Sequence, residues 1–171
     1  METWDALRAR RNVRVYEDRP IPQRDLVRIL EAGRRSPSAL NRQKWDFVVS
    51  TDKHQLEELA TVWAGAAHVP GSAATVALVL PEPEDDNYRI VDRYDLGQVT
   101  MAMALAAADL GIGSGHSAVG DHDAARRILG IPEPYFAANL MAFGYPADRP
   151  LAPIERPDRR PFDEVVHWAK W

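Results

Sequence analysis

With 171 residues, 46% of them hydrophobic, the chain can bury the core of one compact α/β or α+β domain, 1–171, and its length does not suggest two. Zero cysteines exclude disulfide staples, thiolate catalysis and iron–sulfur ligation, and a net charge of -4 has the wrong sign for a surface that neutralises nucleic-acid phosphates. No signal peptide precedes the charged N-terminus and no apolar run approaches the roughly 20 residues of a membrane span, so a cytoplasmic protein with no membrane partner is expected.

A first helix is expected ahead of Arg10-Arg11-Asn12-Val13-Arg14. Three guanidinium groups around one short polar side chain suit a phosphate, because each Arg offers its oxygens a rigid fork of donors. Taken alone, the same run also reads as a solvated basic face. Pro22 through Ala32 predicts a helix: Leu26, Ile29 and Leu30 share a face, Asp25 lies in the first turn, and Gly33-Arg34-Arg35 marks the end. A polar run from Ser36 to Lys44 follows, with Pro37-Ser38 as a turn and Asn41 as its capping residue. Trp45 to Ser50 predicts a strand from its aromatic and β-branched residues. Asp52 is placed to cap the next helix, with Gln55 at the reciprocal position of a capping box. Ala74 to Leu80 is a continuous apolar run stopped by Pro81-Glu82-Pro83, the pattern of a strand buried on both faces, and Glu82 to Asp86 is a solvated turn.

The longest helix is predicted from about Tyr88 to Leu110, and between Met101 and Ala108 it has almost no polar face. A helix apolar all round must be buried all round, which a second subunit supplies more easily than a domain of this size; a core helix in a monomer is the alternative. Asp121 is placed to cap a short helix ending at Gly130, and Ala137 to Phe143 predicts a strand. Pro146 to Pro161 reads as an extended arm, and the tail beyond it carries Trp168 and Trp171, which a small monomer can hardly bury. A homodimer in which the long helices pack together and the arms wrap the partner answers all three features.

Other motifs are set aside. Gly113 through Ala118 spells G-x-G-x-x-A, but a helix precedes it where a dinucleotide-binding unit needs a strand. Asp121 and Asp123, near His116 and His122, are explained as helix-start residues, and no metal site is expected. Ser38 and Ser117 lack the elbow or triad spacing of nucleophiles.

In chain order, Arg10-Arg11-Asn12-Val13-Arg14, Pro37-Ser38-Ala39-Leu40-Asn41-Arg42-Gln43-Lys44-Trp45, Asp95-Leu96-Gly97, Leu110-Gly111-Ile112-Gly113, Phe143-Gly144-Tyr145-Pro146 and Arg159-Arg160-Pro161-Phe162 carry a likeness that spans nearly the whole chain. The sequence resembles the FMN-dependent nitroreductase superfamily, whose members open with Arg-Arg/His-Ser-x-Arg/Lys and continue with Pro-Ser-x-x-Asn-x-Gln-Pro-Trp ahead of a strand. The resemblance implies an α+β, three-layer α-β-α fold: a central, mostly antiparallel sheet flanked by helices. It also implies the long helix at a dimer interface and a C-terminal arm, about 146–171, exchanged with the partner. The implied activity is FMN-dependent oxidoreduction of nitroreductase type. Hydride is taken from NADH or NADPH and electrons pass in ping-pong fashion through flavin N5 to a nitroaromatic, quinone or similar small-molecule acceptor. Such chemistry belongs to the cofactor and needs no protein acid–base dyad.

By the same resemblance, Arg10 and one of Arg159 or Arg160 hold the FMN phosphate, with Arg156 a further arm candidate. Arg11 and Asn12 match a pair that contacts phosphate and ribityl hydroxyls, Asn12 standing in place of Ser. Arg14 matches a cation near N1 and the C2 carbonyl, which stabilises the reduced flavin. The loop after the long helix, His116-Ser117-Ala118-Val119, is implied to offer backbone N–H groups to N5, with Gly111, Gly113 and Gly115 permitting close approach to a flat ring. Pro37, Ser38, Ala39 and Asn41 match the segment that reaches the flavin from the other subunit. Lys44 replaces the family's Pro and adds a charge near the pocket mouth, and Ala66-Ala67-His68-Val69 leaves only His68 where relatives carry polar flavin contacts. The joint between Leu80 and the long helix has no room for the excursion that covers the flavin in larger members. These departures keep two alternatives in view: a non-catalytic or weakly active flavin-binding member, and a specialised branch using flavin fragmentation, dehalogenation or deazaflavin.

Overall fold

Four strands form one antiparallel sheet: β1 (Asp46–Ser50), β2 (Ala74–Pro81), β3 (Gly113–Ala118) and β4 (Tyr135–Gly144), in the spatial order β1-β2-β4-β3. The computed structural model describes residues 1–171. Six α-helices, α1 (Thr3–Ala9), α2 (Gln23–Arg34), α3 (Lys53–Leu59), α4 (Asp86–Asp109), α5 (His122–Leu129) and α6 (Phe162–Val165), surround the sheet or extend from it. No helix is long and apolar enough to cross a membrane.

The apolar run of β2 is what makes three layers. Val76, Leu78 and Leu80 face a core with Ile29 of α2 and Leu96, Val99 and Met103 of α4. Ala77 and Val79, on the opposite face, pack with Leu56 and Leu59 of α3 and Ala125 of α5. Both faces of the strand are therefore dry, as a continuous apolar run requires. The β2–β4 register shifts between Leu78 and Val79, whose partners are Asn139 and Ala137.

The helix ends follow local chemistry. Asp52 accepts a hydrogen bond from Gln55 N at 2.9 Å, while the Gln55 side chain turns to Ile128 O instead of completing a capping box. Asp121 caps α5 through Ala124 N at 2.8 Å, and Gly130 ends it at φ 65°.

Three expectations bear on this architecture, and the first and third need correction. Gly113 to Ala118 is a strand, so His116, Ser117 and Ala118 do not lie on a loop. Its sequence has no apolar alternation; pairing with β4 and a flanking N-terminal segment, where Val13 N donates to Ser114 O at 2.9 Å, impose the extended state. Second, α4 is not buried all round within one chain. Met103, Ala104, Ala107 and Ala108 face the core, whereas Met101, Ala102, Leu105 and Ala106 are half-buried and Ile90 and Tyr94 are exposed. Third, the first half of the arm docks on its own chain: Arg11 pairs with Asp148, Arg8 with Glu155, and Ile154 N donates to Arg8 O. From Arg156 onward every side chain except Val166 is exposed, including Trp168 and Trp171.

Candidate active site

α1 ends at Arg10, whose N–H bonds Ala6 O, and the chain then runs extended beside β3, with Asn12 bridging Ser114 in parallel. This placement gathers side chains distant in sequence. Asn12 Oδ1 lies 3.3 Å from His116 Nδ1, and Arg14 Nη1 donates to His116 O at 3.3 Å. The same Arg14 nitrogen lies 2.8 Å from His68 Nδ1, across 54 positions of chain. His68 arrives from the 3-10 turns between α3 and β2, and Arg14, Gly65, Ala67 and His68 line a surface cavity of about 430 Å³.

The electrostatics of the cluster are one-sided. Burial pushes the His68 imidazole below the usual histidine range, and Arg14 pushes it further. His116 is lowered by burial first, then by Arg10, Arg14 and His68. Both rings are thus neutral at neutral pH, beside two guanidinium groups. Neither Arg10 nor Arg14 has a carboxylate partner, because the nearby acids are taken elsewhere: Asp148 by Arg11 at 2.7 Å and Glu155 by Arg8 at 2.7 Å. Arg10 Nε, Arg11 Nε and Ser114 Oγ are buried without a hydrogen-bond partner.

Arg10 and Arg159 also share a second cavity, about 330 Å³, with Trp4, Leu7 and Ile154 on its walls. Arg160 is held by Glu164, through its side chain at 3.5 Å and its carbonyl at 2.9 Å. Arg156 makes neither a hydrogen bond nor an ion pair. Ser117 is buried with its hydroxyl donating to Ala118 O, and Ala118 ends β3 in an exposed position.

The Pro37–Asn41 segment is not brought to this cluster within one chain. Ala39–Asn41 forms a 3-10 turn in which Leu40 and Asn41 take φ values of 53° and 56°, and Gln43 just beyond it takes 47°. Ala39 N donates to Asp95 Oδ2 at 3.0 Å, Gln43 N donates to Ser38 Oγ at 2.9 Å, and the Arg42 guanidinium stacks 4.0 Å over Tyr88. Lys44 does not leave a free charge at a pocket mouth; Glu84 pairs with it at 3.3 Å. Nor do Gly113 and Gly115 present bare backbone to a ring. A Cβ at Gly113 would lie 2.5 Å from Val13 Cγ2, and one at Gly115 2.4 Å from Val13 O, so the protein itself fills both spaces. His68 is the residue that sequence reasoning undervalued. Its one signal was being the lone polar side chain in Ala66-Ala67-His68-Val69.

The sequence model of the Nitroreductase family matches residues 7–145, from α1 to the residue after β4, and includes the whole cluster around Arg14. The chain belongs to the Nitroreductase family. An Archaeoglobus fulgidus protein provisionally named NADH dehydrogenase/NAD(P)H nitroreductase is 33% identical over 168 residues, spanning 95% of this chain and 94% of the relative. A Bacillus subtilis protein named as an NAD(P)H FMN reductase is 24% identical over 167 residues, 86% of this chain and 67% of its own. Among solved structures, an FMN-dependent nitroreductase from Clostridium difficile superposes with a TM-score of 0.84 at 21% identity, covering 97% of this chain and 98% of that one. The nitroreductase fold is thus shared across both flanking helical layers and the sheet between them.

Proposed function

We propose that this nitroreductase-family chain is an FMN-dependent NAD(P)H oxidoreductase acting on nitroaromatics, quinones or similar small acceptors. One observation carries the reading: Arg10 and Arg14 stand beside the β3 edge with no carboxylate paired to either, and Arg10 Nε is buried without an acceptor. A buried donor left unsatisfied costs about 1–3 kcal/mol, and a phosphate oxygen is the acceptor this geometry lacks. The residues present therefore fit a phosphate-bearing cofactor.

Each group has a task in this reading. Arg10 binds the phosphate with an arm cation, and Arg159 is the arm residue that shares its cavity, ahead of Arg160 and Arg156. Arg11 braces the arm through Asp148, and Asn12 presents its amide toward the ribityl chain. Arg14 holds positive charge where the isoalloxazine gains electron density. β3 is an edge strand whose outer side is partly used, Ser114 O by Val13 N and His116 O by Arg14, which leaves the outward N–H groups of His116 and Ala118, with Ser117 between them facing β4, as the donors for the ring. FMN, when bound, accepts and delivers hydride at N5, which relieves the protein of nucleophilic or acid–base work.

The turn Pro37, Ser38, Ala39 and Asn41 enters this scheme from a second subunit. The exposed Ile90 and Tyr94 on α4 and the uncovered tail beyond Pro161 supply apolar surface for a two-fold homodimer in which that tail crosses to the partner. Use of NADH or NADPH, which are intracellular donors, supports a cytoplasmic setting in this reading. The test is initial-rate kinetics of the FMN-loaded protein with NADH or NADPH and a nitroaromatic or quinone. Parallel double-reciprocal lines are expected. Bound FMN without donor oxidation supports the weakly active flavin-binding alternative instead.

A further inference from the structure

We propose that His68 is a positioning residue for Arg14: its neutral imidazole anchors the guanidinium on the cavity wall, and protonation of that ring releases it. The consequence for FMN rests on the cofactor assignment above, but the pairing itself does not.

Arg14 is an exposed side chain on an extended segment, and no carboxylate pairs with it. What holds its Nη1 is the His68 ring, 2.8 Å away at Nδ1 and 3.4 Å at Nε2, and, more weakly, His116 O at 3.3 Å. Arg can only donate and never loses its charge, so the neutral imidazole, with one ring nitrogen free of its proton, is the form of His68 that can receive it. His68 is itself rigid: it is 7% exposed, and the backbone of Gly115 and Gly65 supplies further hydrogen-bond partners. Gly115 is part of the device, since a Cβ there would lie 2.9 Å from His68 Nε2 and displace the ring.

Protonation removes the acceptor lone pair and sets a second cation against a guanidinium that never loses its charge. The backbone of Gly115 and Gly65 favours the protonated ring, but burial and Arg14 outweigh it and no anion faces the ring. The groups facing the ring are Arg14 on the N-terminal segment, His116 on β3 with Arg10 beside it, and the buried Tyr16 phenol, which burial keeps protonated. None is anionic near neutral pH. Burial and Arg14 together hold His68 below the ordinary histidine range, so the anchor is intact at neutral pH and is lost on the acid side.

Two readouts test this. In the apo-protein, the His68 ring is titrated by NMR; Arg14→Ala should raise its midpoint, and an unmoved midpoint overturns the pairing whether or not FMN binds. In the loaded protein, the FMN dissociation constant is measured from about pH 8 to about pH 5 for the wild type and His68→Gln, whose amide oxygen accepts at every pH. The phosphate's own second ionisation near 6 affects both proteins alike, so their ratio is the readout. The wild type is expected to lose about tenfold more affinity than His68→Gln over this range, one pKa unit's worth of coupling. Superimposed profiles overturn the proposal. A wild type that binds no FMN at any pH defeats the cofactor assignment instead, and the apo titration then decides the pairing alone.

Discussion

Asp95 on α4 accepts a 3.0 Å hydrogen bond from Ala39 N across 56 positions, and with Arg42 stacked over Tyr88 this contact ties the 3-10 turn to the longest helix. The turn needs such a tie. Left-handed backbone at a non-glycine residue costs about 1–3 kcal/mol, and Leu40, Asn41 and Gln43 all adopt it. Asp95 is 5% exposed and the bond is partly buried, so its replacement leaves a half-buried N–H unpaired. Asp95→Ala is expected to lower stability by about 1–3 kcal/mol in urea denaturation, with Asp95→Asn retaining most of it. If the turn serves the partner's site, FMN affinity falls in parallel.

Gly115 and Gly111 should respond differently to alanine. At Gly115 the new methyl collides with Val13 O at 2.4 Å and with His68 Nε2 at 2.9 Å, and neither backbone nor a fixed ring can yield easily. At Gly111 the space is open and only the positive φ of 73° opposes the change. Thermal unfolding should show Gly111→Ala costing roughly 1–2 kcal/mol. Gly115→Ala should cost about 3 kcal/mol or more, because overpacking adds to the displaced His68. Equal losses would mean that the neighbours of Gly115 are softer than the geometry implies.

Both glycines show what a sequence can and cannot disclose. Segments with a strong period were legible: Pro22 to Ala32 falls on α2 with Pro22 as its N-cap, Ala74 to Leu80 lies inside β2 with both faces buried, and Tyr88 to Leu110 falls on α4 with Leu110 as its C-cap. Caps were legible too, because Asp52 and Asp121 act within three residues. β3 was not, since Gly-Ser-Gly-His-Ser-Ala carries no apolar alternation and owes its extended form to β4 and Val13. The pairing of Arg14 with His68 was hidden for a similar reason: it depends on how two loops meet after folding. Resemblance named Arg10, Asn12, Arg14 and His116, and folding gathers those four; it could not show that Arg11 is engaged by Asp148.

Arg10→Ala and Arg14→Ala should each weaken FMN by about 1.5–3 kcal/mol, the scale of one charge-assisted hydrogen bond. The two should differ in kind. Arg10→Ala acts on the dissociation constant alone, whereas Arg14→Ala also lowers the midpoint potential of bound FMN. Normal affinity in both variants, measured by fluorescence titration, would reject their assignment to the cofactor.

The uncovered side of α4 makes a separate prediction about assembly. Tyr94 is 70% exposed on one chain, between Ile90 and Met101 along the same helix. In the proposed dimer this surface lies inside an interface of roughly 2,000 Å² or more, with no folded monomer persisting on dilution. Tyr94→Asp should therefore shift sedimentation toward 19.1 kDa, or unfold the protein, and release FMN in either case. A monomeric wild type that retains FMN would contradict the shared site.

The most direct measurement is anaerobic. Purified protein reconstituted with FMN is titrated with NADH, and separately with NADPH, while flavin absorbance near 450 nm is followed, roughly one donor per site being needed for two-electron reduction. The account predicts complete bleaching by at least one donor and recovery of colour on adding a nitroaromatic or quinone. Bound flavin that stays yellow with both donors would contradict an NAD(P)H oxidoreductase.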